Sequence, residues 1–370
     1  MSERADPTAS ATPSAAALRH VRRGVLDMAA YTPGEQVNSC IKLNTNECPW
    51  GPSPAVKAVL AGIADDSLRL YPDPVSRALR AAAASAFAVT PDQVLAGNGS
   101  DDCLTVIYRA FLAPGERVAC AWPTYGLYDT LASIQGADLV AVDYRITAAD
   151  WTLPTVLARQ SAKVVIVANP NNPSATLTPA ADLRRLAEQQ DGILVVDEAY
   201  MDFADAGGAR ESMIPYLDQH PNLIVLRTFS KSYSLAGARL GLLFAAPALV
   251  AQLTKVKDSY NVNAITQALG TAALDDRQYH LDQVRRTVME RRRLEAELAK
   301  FGWSWPASHA NFLLCQVGPE APRIYRELKQ RRVLVRWWDK PALREKLRIT
   351  VGTPENDDLL LSHLRELVTA

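Results

Sequence analysis

The sequence predicts an α/β protein: a large domain on a mainly parallel central sheet flanked by helices, plus a smaller α+β C-terminal domain. Three observations carry this. The runs AKVVIVANP, GILVVDEAY and NLIVLRTFS are β-rich without polar alternation, as in strands buried on both faces. The helical stretch PAADLRRLAEQQ separates the first two, giving strand–helix–strand. From about Asp276 the pattern becomes a long charged helix followed by shorter mixed elements.

Taken in order, residues 1–25 are small, polar and low in complexity, and are expected to be a disordered lead-in. They lack the apolar stretch of a signal peptide, and Glu3 and Asp6 argue against a transit peptide. Residues 26–53 have no core of their own and read as an arm that joins the C-terminal domain or bridges the two. Residues 54–275 form the large domain, opening with the helices PAVKAVLAGIADD and VSRALRAAAASAFAV, whose apolar residues recur at three- and four-residue spacing. Residues 276–370 form the small domain, with LDQVRRTVMERRRLEAELAKFG, RIYRELKQ and DLLLSHLRELV as helices and ANFLLCQV, VLVRWW and KLRITVG as strands.

Composition narrows the function. In 370 residues, 40 basic side chains balance 40 acidic ones, so no global field gathers nucleic acid or a membrane. Small-molecule partners are expected instead. Five cysteines without CxxC spacing read as reduced thiols of a cytoplasmic protein, and the scattered histidines give no zinc pattern.

Open parallel sheets bind ligands at the carboxyl ends of their strands, which directs attention there. GNGSDD places Gly99, Ser100 and Asp101 at the start of a helix, as a capped end or a phosphate cradle. VDEAY ends a strand on Asp197, a carboxylate that needs a cationic or hydrogen-bonding partner if buried. NPNNPS is a rigid turn offering the Asn172 amide. TFSKSYSLAGARLG places Lys231 among hydroxyls, with Arg239 eight positions on. Alone, Lys231 reads as a surface charge. Together, these groups supply an amine nucleophile, an acid for a ring nitrogen, a donor for an oxygen and an anion site, which is the inventory pyridoxal 5'-phosphate requires.

From about Tyr31 onward the chain resembles the histidinol-phosphate aminotransferases, within the fold-type-I pyridoxal-phosphate enzymes. The resemblance rests on YTPGE, LNTNECPWGPSP, YPDP, GNGSDD, PTYGLY, NPNNPS, VDEAY, TFSKSYSLAGARLG and LRITVG in that order. It implies that Lys231 bonds the cofactor aldehyde and later moves the proton, that Asp197 holds the ring nitrogen protonated, and that Tyr200 and Asn172 bond the phenolate oxygen. Tyr125 is implied to stack on the ring. Gly99, Ser100, Asp101, Thr228, Ser230 and Arg239 are implied to surround the phosphate, joined by Tyr71 from the neighbouring subunit of a homodimer with shared active sites. Arg348 is implied to clamp the α-carboxylate, and Arg336, Tyr31 and Asn46 to meet the far end of the substrate.

The implied reaction exchanges the amino group between histidinol phosphate and 2-oxoglutarate in histidine biosynthesis, with no metal. An aromatic amino-acid transaminase and a decarboxylase such as threonine-phosphate decarboxylase are the alternatives. A ligand-sensing regulator would need a further DNA-binding domain.

Four features depart from the family pattern or invite another reading. Ala175 stands where glycine is usual and is expected to alter the turn, since φ > 0 is unfavourable there. Cys48 and Trp50 in NECPW are expected near the cleft. Trp337 and Trp338 read as core, or as aromatic surface for an aromatic substrate. Arg291–Arg293 reads as a solvated, ion-paired helix face.

Overall fold

In a computed structural model of the chain, the described residues are 15–30, 34–63, 68–147 and 150–369. Seven strands form the main sheet: β1 Val94–Gly97, β2 Arg117–Trp122, β3 Asp138–Asp143, β4 Val164–Ala168, β5 Ile193–Asp197, β6 Leu223–Thr228 and β7 Gly241–Ala245. Their spatial order is β1-β7-β6-β5-β4-β2-β3. β7 runs antiparallel to both neighbours, and every other pairing is parallel.

The missing polar alternation has its physical cause here. Val165, Val167, Val196 and Val225 enter one core, while Ile166, Val195, Ile224 and Leu226 enter another on the opposite face. The topology also sets the site. The carboxyl ends of β1, β2, β4, β5 and β6 point the same way, and the reversed β7 begins on that side. The segments after Gly97, Trp122, Ala168, Asp197 and Thr228, and the segment before Gly241, therefore meet along one edge.

A third core packs Leu43 with Leu313, Leu347, Ile349 and helices of the C-terminal region. There β8 Phe312–Gln316 pairs antiparallel with β9 Lys346–Thr350. Ile41–Lys42 of the arm pairs parallel with Val333–Leu334. The VLVRWW strand is thus shorter than its sequence suggests: beyond Leu334 only Arg336 pairs, exchanging backbone bonds of 3.0 and 2.9 Å with Arg348.

Several expectations change. Part of the disordered lead-in lies outside the described residues, but Ala15–Leu18 and Arg23–Asp27 are helical, and Arg22 donates to the Ile134 carbonyl at 2.6 Å. Ala175 does adopt the left-handed conformation, at φ 62°. Its N–H donates to the Asn171 carbonyl (2.8 Å) and its carbonyl accepts from His309 N–H (2.9 Å), so the surrounding bonds outweigh a local cost of about 1 kcal/mol. Arg291 is not on a solvated face: it is buried and donates to the Ala310 carbonyl at 2.6 Å, yet it is ion-paired as expected, to Glu295 at 3.6 Å, and Arg293 likewise to Glu290, with Asp358 as a further partner. Among the described residues no helix is long and apolar enough to cross a membrane.

Gly241 opens β7 opposite both Gly97 and Thr228. A Cβ there would lie 2.3 Å from Ser100 N and 2.4 Å from Gly99 C, and both are backbone atoms that cannot swing aside. Gly241→Ala should therefore lower stability in a denaturant melt by about 1–3 kcal/mol. Gly237→Ala, whose Cβ meets nothing within 4 Å, should stay within about 0.5 kcal/mol of the parent.

Candidate active site

A cavity of about 730 Å³ opens along that edge, within the range of small-molecule sites. Its floor comes from the main sheet. Its other wall comes from the arm (Asn44, Thr45, Asn46) and from Arg336, Trp338 and Arg348 of the C-terminal region.

Asp197, the last residue of β5, is buried. Its Oδ2 accepts from the Tyr128 hydroxyl (2.8 Å) and its Oδ1 from Ala199 N–H (3.2 Å). Desolvation outweighs these donors and pushes its carboxyl up to about 6. Such a group gains most if a cation comes to rest against it.

Lys231 follows β6 by three residues, and its Nζ donates to the Thr45 carbonyl at 3.0 Å. Desolvation first, and the Arg348 guanidinium second, bring its amine down to about 8. A larger neutral fraction than an ordinary lysine has is what an amine nucleophile needs.

Gly99 (φ 86°) turns the chain into the helix α1 Ser100–Phe111, whose first N–H groups have no intrahelical acceptor. A Cβ on Gly99 would meet Arg239 Nη2 at 2.6 Å. Arg239 itself pairs with Asp101 Oδ2 (3.1 Å) and donates to Ser230 Oγ (3.2 Å). The second acid of GNGSDD turns away: Asp102 Oδ2 accepts from Asn98 N–H (2.9 Å) and from Asn261 Nδ2 (2.8 Å). An anion would find a helix start, a guanidinium and the hydroxyls of Thr228 and Ser230 on one side of the cavity.

Tyr125 lies over this region, donating its hydroxyl to Asp101 Oδ1 at 3.2 Å. Tyr200 accepts from Asn46 Nδ2 (2.9 Å), which fixes its hydroxyl at the cavity wall. Asn172 Oδ1 accepts from Arg348 Nη1 at 2.5 Å, and Arg348 Nη2 donates to the Asn44 carbonyl at 2.7 Å.

A model of the aminotransferase family of class I and II matches residues 38–364. The chain belongs to that family. It is 41% identical to histidinol-phosphate aminotransferase 1 of Trichormus variabilis, over 94% of this chain and 99% of that one. It is 42% identical to histidinol-phosphate aminotransferase of Synechocystis, over 92% of this chain and 97% of that one. A solved histidinol-phosphate aminotransferase from Sinorhizobium meliloti, in complex with pyridoxal-5'-phosphate, superposes with a TM-score of 0.86 at 26% identity, over 95% of this chain and 98% of that one. An aspartate aminotransferase of Thermus thermophilus, at 21% identity and a TM-score of 0.79, shares the fold.

In this aminotransferase the structure brings Gly99, Ser100, Asp101, Tyr125, Asn172, Asp197, Tyr200, Thr228, Ser230, Lys231 and Arg239 together. Asn46, Arg336 and Arg348 face them. Tyr71 does not join them: it is 81% exposed and stacks on Tyr260 at 4.5 Å. Tyr31 lies outside the described residues. Neither Cys48 nor Trp50 lines the cavity as expected: burial raises the Cys48 thiol, and Trp50 packs beneath Arg286, whose guanidinium is 4.3 Å from its ring. The two tryptophans divide. Trp337 packs on Tyr325 and donates to the Arg344 carbonyl, whereas Trp338 lines the cavity.

Sequence reasoning missed Tyr128, three residues beyond Tyr125 on the helix Leu127–Gln135 that follows PTYG. The helical spacing was the available signal, since both rings rise from one short stretch. It also missed Arg227, which pairs with Glu198 (2.9 Å) and Asp202 (2.6 Å) beneath the site. A lone arginine inside NLIVLRTFS carried no such signal.

The lowered Lys231 amine has a measurable consequence in the cofactor-free protein. Its folded value is about 8, against 10.5 for an ordinary lysine, so between those values the unfolded chain binds the extra proton and stability rises with pH. Lys231→Met should therefore be more stable than the parent at pH 7. That advantage should shrink as pH climbs from 8 to 10.5, as read from chemical melts across the range. A constant difference would contradict the burial of a charged amine.

Proposed function

We propose that this chain exchanges the amino group between histidinol phosphate and 2-oxoglutarate, giving imidazole-acetol phosphate and glutamate, in the cytoplasm and in histidine biosynthesis. The observation that carries the substrate reading is the pair Arg336 and Arg348. Their backbones are bonded to each other, and both guanidiniums lie over Trp338, at 5.3 and 5.2 Å from its ring. Two guanidiniums over one ring suit a dianion. Histidinol phosphate has no α-carboxylate; its phosphate hangs from the carbon that replaces it. One double-arginine end thus serves the phosphate in one half-reaction and the α-carboxylate of glutamate in the other. This is simpler than assigning Arg336 to a separate far end.

The residues also fit pyridoxal 5'-phosphate. Buried Asp197 calls for a cation, Lys231 supplies an amine, and the Gly99–Arg239 cradle leaves no room for a side chain where an anion would sit. When bound, that cofactor supplies an aldehyde for amine capture and a ring that accepts the electron pair released at the substrate α-carbon. Asp197 would hold a proton on the ring nitrogen, with Tyr128 orienting its carboxylate. Tyr200 and Asn172 would donate to the ring oxygen, and Tyr125 would cover one face. Gly99, Ser100 and Asp101 amides, Thr228, Ser230 and Arg239 would hold the phosphate.

Lys231 would carry the proton from the substrate α-carbon, since its amine lines the cavity and feels both the Arg348 guanidinium and the Asp197 carboxylate. Asn46, held by Thr350 at 3.0 Å, acts by fixing Tyr200. The exposed Tyr71 would complete the phosphate site of a second copy, making the enzyme a homodimer. The five free thiols support the cytoplasmic setting.

Trp122 and Trp338 line the cavity and favour one other reading, an aromatic amino-acid transaminase. A 2-oxoglutarate-coupled assay decides between them. Histidinol phosphate should exceed phenylalanine and tyrosine in kcat/KM by at least about tenfold, a difference of about 1.4 kcal/mol. The active species should run at twice the 40.4 kDa chain mass. Equal rates would replace the substrate assignment, and an active monomer would remove the Tyr71 role.

A further inference from the structure

Among the described residues the cavity wall carries five basic side chains, Lys231, Arg239, Arg336, Lys340 and Arg348, against three acidic ones, Glu47, Asp101 and Asp197. The functional reading absorbs four of the five bases. Lys340 remains. Its backbone is fixed, because its carbonyl accepts from both Leu343 N–H and Arg344 N–H at 2.8 Å. Its Nζ lies 5.2 Å from the centre of the Trp122 ring, at the end of β2. Among the described residues no carboxylate pairs with it. Adjacent Asp339 is taken by Arg344 (3.0 Å), Glu47 by Lys42 (2.7 Å), Asp101 by Arg239 (3.1 Å), and Asp197 accepts from Tyr128. Lys340 is thus an exposed cation resting on an aromatic face at the cavity wall, with no anion of its own among the described residues.

Resting on the reading above, the enzyme has a second demand. Glutamate and 2-oxoglutarate carry a distal carboxylate, whereas histidinol phosphate carries an imidazole at the equivalent end. One place must accept an anion in one half-reaction and a flat heteroaromatic ring in the other. We propose that the Trp122–Lys340 pair is that place. Lys340 pairs with the distal carboxylate of the dicarboxylate substrate, and the Trp122 face receives the imidazole when the lysine moves aside. A cation on an exposed ring is held by only about 0.5–1 kcal/mol, so the flexible lysine can leave the ring without abolishing binding. An arginine committed to a carboxylate could not yield so readily.

The test separates the two half-reactions, each followed as a single turnover of the holoenzyme. Lys340→Ala should raise the half-saturating concentration of glutamate about tenfold, leave its limiting rate within about twofold, and leave histidinol phosphate within about twofold, the tenfold being about 1.4 kcal/mol. Lys340→Arg should restore glutamate. Trp122→Leu should weaken histidinol phosphate and spare glutamate. Glutarate, which cannot react, should bind Lys340→Ala about tenfold more weakly in an equilibrium titration. Equal losses for both donors, or unchanged glutamate and glutarate binding in a Lys340→Ala protein that melts like the parent, would overturn the proposal. If the parent enzyme does not accept histidinol phosphate, the substrate reading fails by itself, while the glutamate and glutarate measurements still decide the role of Lys340.

Discussion

Arg227 brings a positive charge into a place that water barely reaches, and the site is arranged around that constraint. It lies next to the end of β6, 5% exposed, with its guanidinium over the Phe87 ring. Glu198, immediately after Asp197, meets it at 2.9 Å, and Asp202 meets it at 2.6 Å. Asp202 in turn accepts from Ser232 Oγ at 2.5 Å, next to Lys231. One cation therefore ties the segment carrying the acid to the segment carrying the amine. The two carboxylates respond differently. Burial pushes Glu198 up to about 7, while Arg227 and His280 hold Asp202 well below the ordinary range despite its burial. Removing one member of such a group leaves an uncompensated buried charge, which is far costlier than the net worth of the pair.

Above that layer, the cavity divides its tasks between chain segments distant in sequence. The strand ends of the main sheet supply Asp197, Asn172, Lys231 and the helix start beside Arg239. The arm supplies Asn44, Thr45 and Asn46, whose carbonyls and amide orient Arg348, Lys231 and Tyr200. The C-terminal region supplies Arg336, Arg348 and Lys340. Transamination needs this division. The cofactor stays while two unlike substrates take turns, so groups that hold the ring can be rigid, whereas groups that meet the substrate must accept either partner.

Much of this was legible in sequence because the signals were local. VVIV, ILVV and LIVL announce doubly buried strands by lacking alternation, and the ligand-binding edge follows from their direction. Asp197 and Lys231 were singled out because each stands at or just beyond the end of such a run, and Arg239 because it follows Lys231 by eight positions in the same stretch. Other features depend on contacts across the chain and have no local mark. Arg227 looks like an interruption of a strand until Glu198 and Asp202 are seen beside it. Asn46 shows its role only through Tyr200 and Thr350, about 150 and 300 residues away. Trp50 is drawn from the cleft by Arg286 of the long helix. Ala175 was misread for a different reason: the local preference against φ > 0 is real, but two backbone hydrogen bonds to Asn171 and His309 outweigh it.

The account stands on Lys231 being the amine that meets the cofactor. Two lysines line the cavity, Lys231 and Lys340, which makes the claim sharp. Borohydride reduction of the purified holoenzyme, followed by peptide mass mapping, reads it directly. The reduced pyridoxyl-phosphate mass should appear on the peptide containing Lys231 and vanish in Lys231→Ala. The same mass on Lys340, or on any other lysine of the unmodified sequence, would contradict the assignment of the strand-end site.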